Sequence, residues 1–186
     1  MRYWPFVLAG WALLTNGAVS ESKADACRGH IPPTLGESLR RRFPEHHLPS
    51  TSDSLAEDVQ FDKTRGGDGC LLVEVADFDG DGRQDLVVGL PSDKGGVPVV
   101  AVALARGRDW SISAIQSWVD VTERLYVRSA PAGTHSRTSA LDRRLQPDER
   151  KSLKCDNAAV IVGATESTTI AYCYLNHRWL YVWVSD

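Results

Sequence analysis

The chain has 186 residues, with 24 acidic against 21 basic side chains, 42% apolar residues and four cysteines. Those proportions describe one globular domain and exclude a disordered chain. A net charge of −3 offers no field for binding a polyanion, which argues against nucleic acid as a partner. Four cysteines are too few to build a disulfide miniprotein and enough for one or two bridges in an oxidising compartment.

Met1-Arg2 is a short positive start, residues 3–14 form an apolar run of secretory length, and Ala18-Val19-Ser20 ends it with small side chains. This pattern predicts a signal peptide over residues 1–20, cleaved after Ser20, and a periplasmic or secreted protein without stable membrane insertion. No leucine stands three residues ahead of Cys27, which speaks against a lipid-anchored N-terminus. Removing residues 1–20 leaves 24 acids against 20 bases in a single domain over residues 21–186.

Residues 21–34, with Pro32-Pro33, read as extended. Thr34 is placed to cap a short helix that buries Leu35, Leu39 and Phe43, with Glu37 completing a capping box and Pro44 ending the helix. Residues 46–69 read as loop, with one turn of helix near 54–59. From Cys70 onward the apolar period becomes strand-like. Residues 71–75, 86–88, 97–105 and 110–118 predict four strands, with Gly95-Gly96 and Arg106-Gly107-Arg108 as turns. Connections this short imply an antiparallel sheet.

A second copy follows. Val160-Ile161-Val162-Gly163 repeats Leu86-Val87-Val88-Gly89, and the segment from Ile170 to Trp179 repeats Val100 to Trp110, shorter by five residues in the turn after Gly163. The expected architecture is therefore mainly β, with a first unit over 70–118 and a second over 155–184. Residues 121–127 read as a strand between the units, and 129–154 as an insertion, with a short helix at 140–145.

One segment carries chemistry. Asp77, Asp79, Asp81 and Asp85 stand at positions 1, 3, 5 and 9 of a loop, with Gly82 at the sharp turn and the Arg83 carbonyl placed as a main-chain ligand. Alternating carboxylates on a turning backbone converge oxygens on one point, as a hard cation such as Ca²⁺ requires. An EF-hand would need Glu at position 12, where this chain has Val88. Asp-x-Asp-Gly-Asp-Gly-x-x-Asp between apolar strands instead resembles the calcium loop of FG-GAP or integrin-α-type propeller repeats. That resemblance covers residues 70–118 and implies Asp77, Asp79, Asp81 and Asp85 as side-chain ligands of Ca²⁺ and a propeller-blade-like sheet. The second unit has Cys155-Asp156-Asn157 instead.

A whole propeller needs more blades than this chain supplies. Phe43-Pro44-Glu45, Leu48-Pro49 and Asp53, followed by Cys70 and the acidic loop, resemble small exported bacterial proteins with a single such loop. Some of those are similar to periplasmic inhibitors of lysozyme-type cell-wall hydrolases, immunity proteins among them. The resemblance implies a non-catalytic domain with a protein partner, such as a peptidoglycan hydrolase. The Ser-Gly-x-x-Tyr motif of one lysozyme-inhibitor class is absent from the sequence.

Other residues have competing readings. His46-His47 could ligate a transition metal, but adjacent loop residues point apart. His135, Ser136 and Asp142 suggest a triad without a nucleophile elbow. Glu74 and Asp77 are the carboxylates an envelope enzyme would use as acid and base, and Trp110, Trp118, Trp179 and Trp183 could serve a carbohydrate-binding module or fill the core. Arg40-Arg41-Arg42 reads as a solvated helix face. Cysteine pairing is not fixed by sequence. A hairpin turning near 164–167 would bring Cys155 near Cys173 on a neighbouring strand, leaving Cys27 for Cys70.

Overall fold

The computed structural model describes residues 25–115, 119 and 122–185. The expected signal peptide, the end of the strand expected over 110–118, and the first residue of the one expected over 121–127 lie outside them.

Among the described residues, ten strands form two four-stranded antiparallel sheets and a two-stranded one. The first sheet is a meander of β1 (Val73–Ala76), β2 (Asp85–Leu90), β3 (Val99–Arg106) and β4 (Asp109–Ile115). In the second, β5 (Leu125–Ala130) pairs with β8 (Ala159–Ala164), which continues to β9 (Thr169–Leu175) and β10 (Arg178–Ser185). A hairpin of β6 (Gly133–Ser136) and β7 (Ser152–Cys155) interrupts it. The expected strand between the units is thus the first strand of the second sheet. The long insertion lies inside that sheet, between its first and second strands.

Mainly antiparallel β structure is what the alternating apolar pattern implied, and the glycine and the tryptophan of each copy take matching places in their sheets. Gly89 N–H donates to Leu72 O, while Gly163 pairs with Tyr126. In each sheet a glycine of the second strand thus lies beside a bulky residue of the first. A Cβ on Gly163 would fall 2.4 Å from the Tyr126 ring, and one on Gly89 2.9 Å from Leu125. Both glycines leave room that any other side chain would fill. Trp110 pairs with Ala105 and Trp179 with Tyr174, each one residue past its hairpin turn. Of the five residues by which the copies differ, four lie in the connections, residues 91–98 against 165–168, and the fifth in β3, which is one residue longer than β9.

The sheets pack face to face. Val87, Val100, Val102 and Leu104 from the first meet Val160, Val162, Ile170 and Tyr172 from the second. Strand alternation turns Leu86, Val88, Ala101 and Ala103 to the opposite face, where Cys27 of α1 (Ala26–His30), its C-cap Ile31, and Leu35 and Leu39 of α2 (Pro33–Arg42) cover them. On the far side, Leu153 and Cys155 of β7 cover Ala159, Ala171 and Val182. The layers therefore run helices, sheet, sheet, hairpin.

Each outer layer is tied to its sheet by a disulfide. Cys27–Cys70 fastens α1 to the lead-in of β1, and Cys155–Cys173 fastens β7 to β9. The pairing agrees with the hairpin argument, but the reason differs. Cys155 lies on β7, in the covering layer, so the bond crosses layers and does not join neighbouring strands of one sheet.

Several local expectations need correction. Residues 26–30 are helical, because Asp25 accepts the Arg28 N–H at 3.3 Å as a cap. α2 starts at Pro33, after Pro32, without a side-chain cap. Proline at the first helical position is preorganised and needs none, so Thr34 caps nothing. The stretch expected as loop holds a 3₁₀ turn, Thr51–Asp53, with a Ser50/Asp53 capping box, and α3 (Ala56–Thr64). Residues 140–145 form no helix.

That 137–150 segment is pinned by Glu149, which is 1% exposed. Its Oε2 accepts from Arg143 Nη1 at 2.6 Å and from Gln146 N at 2.9 Å, and Arg137 Nε lies 3.3 Å from Oε1. Backbone bonds Tyr181 N to Asp148 O and Arg150 N to Tyr181 O then lay the segment along the outer edge of β10. Covering an edge in this way leaves no free template for further strand pairing.

Candidate metal centre

Residues 77–84 connect β1 to β2 at one end of the inter-sheet core. Phe78, fully buried, anchors the loop from below. Gly80 and Gly82 take φ of +79° and +81°, which lets the backbone turn twice within three residues. Asp77 Oδ1 accepts from Gly80 N at 2.7 Å and its Oδ2 from Gly82 N at 2.9 Å. Asp79 and Asp81 each accept a backbone N–H two residues on, at 3.3 and 2.9 Å. Aspartates that bond their own turn in this way fix its shape.

Asp85 closes the loop from inside. It is fully buried, and its two oxygens accept from Phe78 N at 2.9 Å and Ala105 N at 2.7 Å. Burial raises its pKa above the ordinary carboxylate value. The two N–H groups oppose that shift, and the negative charges of Asp79 and Asp81 add to it.

The fold brings one oxygen each of Asp77, Asp79 and Asp85 within 4.8 Å of one another. Asp81, expected as a fourth ligand, is outside that group. Its Oδ2 faces Arg106 Nη1 at 3.4 Å and Arg83 Nη1 at 3.5 Å. Arg106, at the end of β3, also donates to Asp79 Oδ2 at 2.6 Å. Its pKa is raised chiefly by that bond. Sequence reasoning did not find Arg106, because it enters the loop from the end of β3, 27 residues after Asp79; only the pairing of β3 with β2 brings it there.

An all-oxygen carboxylate donor set suits a hard divalent ion, and the residues fit one in kind and proximity. Among the described residues the second sheet has no counterpart of this loop: the equivalent connection is the one enlarged into β6, β7 and the 137–150 segment. Its final turn, at Asn157, rests against Gly80.

The other singled-out residues are dispersed. His135 and Ser136 alternate along β6 and so point to opposite faces. Glu74 accepts the Ser129 hydroxyl at 2.6 Å. Trp183 is buried between the sheets, Trp110 packs toward the helical layer, and Trp179 lies against Tyr174 with ring centroids 5.0 Å apart and planes tilted by 48°. Trp118 lies outside the described residues. Arg40 to Arg42 form the exposed last turn of α2.

Comparison of the chain with protein-family models, with curated proteins and with solved structures gives no match. Among the described residues no helix is long and apolar enough to cross a membrane.

Proposed function

We propose that this is an exported, non-catalytic Ca²⁺-binding protein whose rigid paired sheets bind another protein, with a lysozyme-like cell-wall hydrolase as the partner class. The carrying observation is the convergence of Asp77, Asp79 and Asp85 oxygens within 4.8 Å at a loop between two strands. Its likeness in pattern to FG-GAP loops supports Ca²⁺ as the ion, with Asp81 and the Arg83 carbonyl as further ligands. Two disulfides fit an oxidising compartment. With Glu74 tied to Ser129 and Asp77 to two backbone N–H groups, binding accounts for these carboxylates better than acid–base catalysis.

Calorimetric titration of chelator-treated protein with Ca²⁺ tests the ion. About one site is expected, lost in Asp79→Ala; absence of heat and of any Ca²⁺-dependent change in melting temperature would reject it. Affinity capture from an envelope fraction tests the partner, with retention of a peptidoglycan hydrolase expected.

A second reading, a saccharide-binding face, is favoured by one cavity of about 410 Å³ lined by Trp179, Tyr181, Arg178, Asp148 and Gln146. Pockets of this kind pair an aromatic surface with a few polar groups. Quenching of tryptophan fluorescence by chito-oligosaccharides, abolished in Trp179→Leu, would select it.

A further inference from the structure

Away from the acidic loop, His47 sits between two carboxylates on different segments. Its Nδ1 lies 2.7 Å from Asp93 Oδ1 and its Nε2 lies 3.2 Å from Asp53 Oδ1. A neutral imidazole carries one N–H, so it can donate to only one of these acceptors, and its bare nitrogen would face the other carboxylate lone pair to lone pair. Imidazolium satisfies both. Because the two carboxylates approach opposite ring nitrogens, they do not converge on a point where a metal ion could replace the proton.

We infer that His47 is a proton-operated catch that holds the Asp93 side chain, and with it the glycine turn that follows in the β2–β3 connection (residues 91–98), against the 3₁₀ turn at Thr51–Asp53, and releases that glycine turn as pH rises. Asp93 belongs to the longer connection that the first sheet has and the second lacks. It contains Gly95 at φ +69° and Gly96, which suit a hinge. Asp53 is held from behind by Ser50, whose N–H and hydroxyl donate to its Oδ2 at 2.7 and 2.8 Å. One side of the catch is therefore fixed. On the other, residues 91–93 are also bridged to residues 45–47, with Asp93 N–H on Glu45 O at 3.0 Å and His47 N–H on Pro91 O at 3.1 Å, so the part the catch frees is the glycine turn after Asp93.

Between them lies a cleft of about 590 Å³ lined by His47, Asp53, Ser54, Gly95, Gly96 and Glu123. The surrounding charges are accounted for. Glu123 lines the cleft from the Thr122–Arg124 turn, and Lys94 is paired with Glu45 at 2.8 Å. His46 turns to Val97 O at 3.4 Å, and Asp25 bonds Thr51. Burial lowers the affinity of His47 for its proton, but the hydrogen bonds and charges of Asp53 and Asp93 outweigh it and raise its pKa above the ordinary 6.5. The sign follows: the catch is fully closed below 6.5 and opens as pH climbs through the raised value.

Proton NMR of the intact protein tests this. The His47 ring should titrate with a midpoint above 6.5, and the amides of Lys94, Gly95 and Gly96 should shift with that same midpoint. Asp93→Asn, a half-exposed change that leaves the fold intact, should lower the midpoint. His47→Gln should abolish the loop transition. A His47 midpoint at or below 6.5, an unchanged midpoint in Asp93→Asn, or a loop transition that persists in His47→Gln would overturn the proposal.

Discussion

The Cα of Gly80 faces the side-chain amide of Asn157 so closely that a Cβ would fall 2.5 Å from its Oδ1 and 2.7 Å from its Nδ2. The tip of the acidic loop in the first sheet therefore rests on the corresponding turn of the second. A glycine is needed there twice over, for its φ of +79° and for its lack of volume.

Gly80→Ala should accordingly destabilise the protein by about 1–3 kcal/mol. Asn157→Ala in the same chain should restore the steric part of that loss and leave the conformational part. Urea unfolding of the two single variants and the double variant gives the coupling energy. Strict additivity would show that the two residues do not touch.

Glu149 holds the insertion through two arginines and one backbone N–H while 1% exposed. Glu149→Ala leaves Arg137 and Arg143 facing a buried hole, which should cost about 3–5 kcal/mol. Limited proteolysis should then cut first within residues 137–150. Cleavage elsewhere before that segment would contradict its pinning role.

Acid should weaken the protein at two identified places. Burial would raise the Asp25 pKa, but Thr51 N–H, Thr51 hydroxyl and Arg28 N–H outweigh it and hold it below 3.8. Burial likewise opposes, and Gln146 N–H with Arg143 and Arg137 overcomes, a shift that leaves Glu149 below 4.5. Depressed carboxylates contribute stability that is present above these ordinary values and lost as pH falls through the folded ones. The urea midpoint should fall on acidification below about pH 4, and less steeply in Asp25→Asn. Equal slopes would remove Asp25 from the account.

The disulfides span 43 and 18 residues. Chain-entropy arguments assign them about 4 and about 3 kcal/mol respectively. Cys27→Ser with Cys70→Ser should lower the melting temperature at least as much as the Cys155/Cys173 pair, by differential scanning calorimetry. The reverse order would place the greater loss in packing of the β7 layer.

Much of this fold is legible because strand alternation is a local signal. Residues 86–90 and 100–105 are apolar on both faces, and both faces are covered. The acidic loop is legible for the same reason, since its ligand positions and turn glycines lie within nine residues. Arg106, Glu149 and Asn157 could not be placed, because each matters through a partner brought close only by sheet pairing or layer packing. α1 was hidden by the following prolines, and its cap is a single aspartate. Residues 121–127 carried the strand signal, but nothing local says that a strand will skip a long excursion to pair with residues 159–164.

The two sheets place different hardware at the same connector. Where the first sheet joins its opening strands by a tight carboxylate turn, the second joins them by a hairpin secured with a disulfide and a buried ion pair. At this connector the first half holds a cluster of carboxylates and the second a covalent bond, Cys155–Cys173. Under the Ca²⁺ reading, chelator should loosen the first half alone and reductant the outer layer of each half, where Cys27–Cys70 and Cys155–Cys173 lie, and hydrogen exchange resolved along the chain would register each treatment separately.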